Sequence, residues 1–152
     1  MAEKLTKLRV FALALLIFIF LFGVVLYLQY GLKKEPIKAF TEKKSYSASD
    51  ELKVEIKNST KNKVCFSSCY PYLMQTKDGG WENYNYSQCD GQNKVDACVD
   101  SNGLKAFAIS LNEMFIQPAM HRLAIPACIG CAVGEQFRVD KILYSNEFEI
   151  KK

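Results

Sequence analysis

The chain has 152 residues, and its 20 Lys and Arg residues against 16 Asp and Glu residues give a net charge of +4 at pH 7. This balance excludes the strongly basic footprint of a nucleic-acid-binding protein, and we predict no nucleic-acid partner. The single histidine also argues against a histidine-based catalytic triad or metal cluster.

The first predicted element is a membrane-spanning helix over residues 10–30. This run, VFALALLIFIFLFGVVLYLQY, contains no charged residue and is long enough to cross a hydrocarbon core roughly 30 Å thick. Backbone polar groups inside a bilayer must be satisfied within the segment, so we expect a helix. Residues 1–9 are basic, and no small-x-small cleavage pattern follows the run. We therefore predict an uncleaved signal anchor.

The cysteines indicate how this anchor is oriented, because all six follow it. They are Cys65, Cys69, Cys89, Cys98, Cys128 and Cys131. An even number of cysteines in one small domain behind an export signal is typical of compartments where disulfides persist. We predict a single-pass protein of the cell membrane, with a cytoplasmic N-terminus and its domain on the extracytoplasmic side.

After a linker at residues 31–36, residues 37–152 are predicted to form one all-β domain. Apolar and polar residues alternate in ELKVEIKN, LKAFAISL, HRLAIPAC, QFRVDKIL and EFEIK, with turn signals between these segments. Short alternating strands of this kind favour an antiparallel β-sandwich without substantial helix. The predicted core comprises Leu52, Val54, Ile56, Val64, Phe66, Phe107, Ile109, Leu111, Leu123, Ile125, Phe137 and Val139.

Three short motifs in this domain resemble those of bacterial immunoglobulin-like domains of exported proteins. They are Y-x-x-x-D-x-L-x-V-x-I-x-N at residues 46–58, a hairpin running from Cys69 and Leu73 to D-G-G-W at 78–81, and S-N-x-F-x-I at 145–150. The resemblance covers roughly residues 37–150, and similar sandwiches occur in BsuPI-type proteinase inhibitor domains. It implies a scaffold for binding or spacing. The segment QPAMHRL at 117–123 departs from the Pro-Gly turn and Gly-x-Tyr-Arg-Leu strand usual in the family.

The Cys128-x-x-Cys131 pair in PACIGC fits a redox centre, half of a zinc site, or structural disulfides. Cys65 and Cys69 would supply the second pair of zinc ligands. Because no helix follows the pair to lower a thiol pKa, we favour structural disulfides, with no metal and no cofactor.

The pairing of the cysteines is predicted from strand parity together with the resemblance. Parity places Cys65 and Cys128 on outward faces, and an immunoglobulin-like sandwich would make their strands neighbours, which implies a Cys65–Cys128 bridge. Cys69 and Cys89 flank the hairpin and would close it, leaving Cys98 to pair with Cys131. A Cys128–Cys131 bridge is the main alternative.

Aromatic residues near the hairpin form a candidate binding surface, because Tyr offers large contact area at low entropic cost. They are Tyr70, Tyr72, Trp81, Tyr84 and Tyr86. Half-buried strand tyrosines are the alternative interpretation. For Trp81 itself, packing against the core beside Leu73 is favoured over an exposed role.

The remaining polar residues offer little catalytic chemistry. His121 shares its predicted inward face with Leu123 and Ile125, which favours a histidine at the edge of the core over a catalytic base. The spacing of the loop aspartates at 78, 90, 96 and 100 matches no calcium-binding loop.

These patterns together predict a non-catalytic, disulfide-stabilised binding or structural module that is anchored in the membrane. Its expected partner is a protein or a component of the cell envelope. Envelope thiol–disulfide exchange through Cys128 and Cys131 is the alternative function. Proteinase inhibition is a weaker alternative that rests only on analogy with similar sandwiches.

Overall fold

The computed structural model describes residues 13, 15–27, 35–83, 89, 91–112, 114 and 116–151. The chain divides into two compact units, Met1–Glu35 and Pro36–Lys152. In the first unit, residues 15–27 are helical and their side chains are exposed. Among the described residues, no helix has both the length and the apolar character needed to cross a membrane. Parts of the predicted span, residues 10–12, 14 and 28–30, lie outside the described residues.

The described part of the second unit consists of strands joined by turns. The strands are β1 (Ile37–Thr41), β2 (Ser45–Ser47), β3 (Glu51–Asn58), β4 (Val64–Ser67), β5 (Leu73–Asp78), β6 (Gly80–Asn83), β7 (Val95–Val99), β8 (Leu104–Ser110), β9 (Ala119–Ile129), β10 (Lys141–Tyr144) and β11 (Phe148–Lys151).

The smaller sheet has the order β1-β3-β8 and is antiparallel throughout. Its central strand is ELKVEIKN, in which apolar residues alternate with charged ones, so one face of the pleat is apolar. Leu52, Val54 and Ile56 on that face are at most 1% exposed. The alternation therefore predicted both this strand and its buried side.

The larger sheet is built around β9 and has the path β2-β11-β9-β4-β7. Both β10 and β11 pair with one edge of β9, while β4 and β5 pair with the other, and β6 extends the sheet from β5. The β2–β11 pairing is parallel, so the expectation of a fully antiparallel sandwich is wrong at this edge. The chain enters β2 and β11 from separate connections, and two strands that no hairpin joins are free to pair in parallel.

Residues from both sheets form one buried cluster, consistent with a β-sandwich. Nine of the predicted core residues belong to it: Leu52, Val54, Ile56, Val64, Phe66, Ile109, Leu111, Leu123 and Ile125. Phe107 is partly buried against the same cluster.

Two predicted core residues are placed elsewhere. Phe137 packs in a second, smaller cluster, and Val139 is 58% exposed. The alternation in QFRVDKIL predicted a strand through both residues, but β10 begins only at Lys141. The chain before it makes one isolated bridge, Lys94 to Gln136, and then runs without regular pairing. Outside a sheet, the alternation does not place both residues on one buried face, so Phe137 is buried and Val139 is not.

Candidate functional site

All six cysteines are paired in the structure. Cys65 bridges to Cys98, Cys69 to Cys89, and Cys128 to Cys131, with Cα separations of 4.0, 5.3 and 5.9 Å. The Cys69–Cys89 pairing is the one expected from the hairpin. The predicted Cys65–Cys128 and Cys98–Cys131 pairings are wrong, and the alternative Cys128–Cys131 bridge is present instead.

The error over Cys65 has a geometric cause. Cys65 lies directly opposite Cys98 on β7 and also directly opposite Cys128 on β9. Parity and strand adjacency therefore correctly predicted that Cys65 and Cys128 lie opposite each other, since β4 and β9 are neighbours. They did not distinguish between the cysteines on the two sides of β4, and Cys65 bonds to the one on β7.

These cysteines face away from the main core but are not exposed. Cys65, Cys128 and Cys131 belong to the second cluster, with Val95 and Phe137, and each is at most 3% exposed. Phe137 comes from the irregular segment before β10, which the sequence assigned to a strand. A residue on the outward side of a sheet is thus buried here by a connecting segment.

The CIGC turn is held by polar contacts from that same segment and from Lys63, just before β4. Gly130 adopts a φ of 74°, a conformation that favours glycine, and its N–H donates to the Lys63 carbonyl at 2.8 Å. The carboxylate of Asp140 accepts the N–H of Ile129 at 2.8 Å and pairs with Arg138 at 3.1 Å. The hydrogen bond from Ile129, followed by the Arg138 charge, lowers the pKa of Asp140 below its ordinary value.

The same turn contains the group of metal-ligating atoms found among the described residues. Ligand atoms of Cys128, Cys131 and Asp140 lie within 4.8 Å of one another. Both sulfurs are joined in the disulfide, so neither is a thiolate and Asp140 alone retains a free ligand atom. The geometry therefore suits a structural bridge, because thiolates are the species that bind metal or exchange disulfides.

His121 is fully buried and is a component of the core. Its Nε2 lies 2.9 Å from the Gln117 carbonyl, which can only accept, so Nε2 donates this hydrogen bond, and Nδ1 lies 3.1 Å from the Thr76 hydroxyl. Burial lowers the pKa of His121, and the hydrogen bond to Gln117 opposes that shift. The ring also stacks on Phe148. A neutral imidazole with both nitrogens engaged matches the predicted core role.

The described residues of the predicted aromatic surface, Tyr70, Tyr72 and Trp81, lie in different surroundings. Tyr84 and Tyr86 lie outside the described residues. The Tyr70 hydroxyl accepts the N–H of Cys89 at 3.2 Å, so this ring supports the disulfide-closed segment. Tyr72 packs against the main core, stacks on Phe107, and lines a groove of about 210 Å³ together with Phe66 and Pro71.

Trp81 lies on the outer face of the larger sheet, which is turned away from the main core, so its predicted core role is wrong. It is partly buried and belongs to neither buried cluster. Trp81 is paired with Lys77, which has the same parity as Gln75 and the opposite parity to Met74, and Met74 packs in the main core. The turn at Gly79 and Gly80 thus directs the indole to the outer face of the larger sheet.

On this outer face, Trp81 and Tyr144 both contact the guanidinium group of Arg122. The Arg122 Cζ atom lies 4.1 Å from the centroid of the Trp81 ring and 4.2 Å from that of Tyr144. Trp81 comes from β6 and Tyr144 from β10, on opposite sides of β9. We call Trp81, Arg122 and Tyr144 the aromatic–arginine platform. Cation–π contacts of this kind are worth about 0.5–2 kcal/mol each.

Polar contacts fix the surroundings of the platform. The Arg122 Nε donates to the Gln75 side-chain oxygen at 2.8 Å, and the Gln75 amide donates to Asn83 at 2.9 Å. Lys77 lies 5.5 Å from the Trp81 ring and pairs with Glu147 at 3.4 Å. Tyr144 remains 48% exposed. The platform is thus an ordered aromatic and cationic surface that is open to solvent.

Sequence reasoning identified Trp81 but missed Arg122 and Tyr144. Their outward parity on β9 and β10 was readable from the positions of Leu123 and Leu143. Their meeting depends on the β5–β9 and β9–β10 pairings, which join residues far apart in sequence and are not encoded in any local pattern.

The loop aspartates show no metal-binding arrangement in the part of the chain that the structure describes. Asp100 pairs with Lys63 at 3.2 Å. Asp90 lies outside the described residues. Neither Asp78 nor Asp96 belongs to a ligand cluster there.

Comparisons with known proteins do not assign the chain to a family. No family model matches it, and no curated protein matches it. One similar solved structure is the alkylpurine DNA glycosylase AlkC of Pseudomonas fluorescens bound to DNA containing an abasic site analog, with 11% identity and a TM-score of 0.40. The match covers 77% of this chain and 31% of that one. Another is a beta-glucosidase from Listeria innocua in complex with glucose, with 14% identity and a TM-score of 0.32, covering 76% of this chain and 16% of that one. Likenesses this low bear on neither fold nor function.

Proposed function

We propose that the chain is a membrane-anchored, extracytoplasmic module that binds a protein partner without catalysis. The observation that carries this proposal is the aromatic–arginine platform on the outer face of the larger sheet. Trp, Tyr and Arg are the residue types enriched among interface residues that dominate binding energy. Here one of each is brought together from three separate strands and left accessible.

The scaffold and its location belong to the same proposal. The uncharged run at 10–30, helical over residues 15–27, supports a single membrane anchor. Three disulfides and no free cysteine support an oxidising, extracytoplasmic compartment. The two sheets and the three sequence motifs support an immunoglobulin-like sandwich, a scaffold whose function resides in the sites it displays.

Disulfide chemistry supports a structural function for CIGC. The Cys128 and Cys131 sulfurs belong to residues that are 0% and 3% exposed, so an attacking thiolate has little access to either. Thiol–disulfide exchange therefore receives no support from the geometry. Proteinase inhibition likewise has no residue in the described part of the chain that favours it.

Site-directed photocrosslinking in native membranes tests the proposed function. The photoreactive residue p-benzoylphenylalanine replaces Tyr144 in the full chain, and in a control it replaces Phe40, an exposed aromatic residue on the smaller sheet. We expect a discrete protein adduct from position 144 and none of the same mass from position 40. Absence of an adduct at 144, or the same adduct from both positions, would refute binding through the platform.

A further inference from the structure

The guanidinium group of Arg122 is fixed from three directions. The Trp81 and Tyr144 rings contact it at 4.1 and 4.2 Å, and its Nε donates to Gln75 at 2.8 Å. Gln75 is itself held by its bond to Asn83. An arginine side chain is normally rich in rotamers, so this positioning removes much of the ordering cost of binding through it.

The two Nη groups remain available. Among the described residues, neither makes a hydrogen bond or ion pair. Because Gln75 occupies Nε, an incoming acceptor can bind in parallel geometry only across the two Nη groups. That arrangement is a fork with two parallel N–H donors, which matches the spacing of carboxylate oxygens.

We propose that this fork binds a carboxylate, from an acidic side chain or a C-terminus, on the protein partner. The inference rests on the proposed function and specifies the partner's chemistry. The inference is based on charge complementarity, since Arg122 is a cation without a carboxylate partner in the described part of the chain. The flanking rings favour a protein over an inorganic anion, because they add accessible apolar area around the charge.

The protein offers a direct spectroscopic reporter for the test. Trp81 is the only tryptophan of the chain, so tryptophan fluorescence reports on the platform. The full chain in zwitterionic micelles is titrated with a C-terminally amidated peptide of four glutamates, with the matching amidated peptide of four glutamines, and with inorganic phosphate at equal ionic strength. We expect a saturable fluorescence change with tetraglutamate and none with tetraglutamine.

Variants assign that change to the fork. Arg122→Gln is expected to weaken tetraglutamate binding by about tenfold or more, since charged hydrogen bonds are lost. Arg122→Lys keeps the charge but not the fork, and is expected to weaken it several-fold. Lys57→Gln, at an exposed position on the smaller sheet, makes the same charge change and is expected to leave binding unchanged.

If tetraglutamate binds, three results would still overturn the assignment to the fork. One is equal weakening by Arg122→Gln and Lys57→Gln, which would indicate net charge alone. Another is full binding by Arg122→Lys, and the third is phosphate binding at the concentrations at which tetraglutamate binds.

Photocrosslinking separates the two proposals. An adduct at position 144 without tetraglutamate binding would refute the carboxylate and keep the proposed function. Arg122-dependent tetraglutamate binding without an adduct would refute the proposed function and keep the carboxylate site.

Discussion

Removing the disulfides one at a time should destabilise the domain to an extent set by loop length. The Cys65–Cys98 bridge spans 33 residues, but the Cys69–Cys89 bridge lies inside it and spans 20. With the inner bridge closed, the effective loop is the difference, about 13 residues, for which chain entropy gives about 2.9 kcal/mol. The Cys128–Cys131 bridge spans only 3 residues, which gives about 1.6 kcal/mol.

Urea unfolding of the full chain, followed by Trp81 fluorescence, measures this difference. Both bridges place sulfur in the second cluster, so replacing either pair by alanine removes similar packing. With a slope near 2 kcal/mol per molar urea, Cys65→Ala/Cys98→Ala should unfold at a midpoint roughly 0.6 M lower than Cys128→Ala/Cys131→Ala. An equal or larger effect of the Cys128/Cys131 pair would refute the loop-entropy reasoning. It would indicate that this bridge contributes more to the free energy of unfolding than its loop length predicts.

Three further predictions concern stability and topology. Because burial lowers the pKa of His121 in the folded state, its contribution is fully present above the unfolded pKa near 6.5 and declines as pH falls below it, by at most about 1.4 kcal/mol per pH unit. Unfolding midpoints between pH 7.5 and 5 check this, and His121→Gln should flatten the trend. Phe148→Ala should cost about 3–5 kcal/mol, since Phe148 is fully buried against Tyr46, whereas exposed Phe40→Ala should cost less than about 1 kcal/mol. Protease added to intact cells should remove the domain after residue 30; complete protection would contradict the extracytoplasmic location.

How much of the fold was readable from sequence differs from strand to strand. Strand β3 was readable because one of its faces is buried and the other solvated, so Leu52, Val54 and Ile56 stand out. The segment 136–140 shows a similar alternation and forms no strand. A strand there would need a sheet neighbour for Val139, and that neighbour would have to come from a part of the chain distant in sequence. Alternation is necessary for a half-buried strand but does not guarantee a partner for it.

The candidate site was less predictable than the fold. The residue type of Trp81 singles it out in the sequence, but the side of the sheet on which the indole lies depends on how the hairpin pairs with β9. Arg122 gives no such signal, because an arginine between His121 and Leu123 is an ordinary outward-facing strand residue. Its significance comes from Tyr144 and Trp81, which only long-range pairing brings to it.

The measurement that tests the central claim most directly is the photocrosslinking yield at position 144 in native membranes, compared between two backgrounds. Trp81→Ala removes one ring of the platform, whereas Lys57→Gln alters an exposed residue of the other sheet. If the platform binds a partner, the adduct is lost or strongly reduced with Trp81→Ala and unchanged with Lys57→Gln. An adduct of equal yield in both backgrounds would contradict the account.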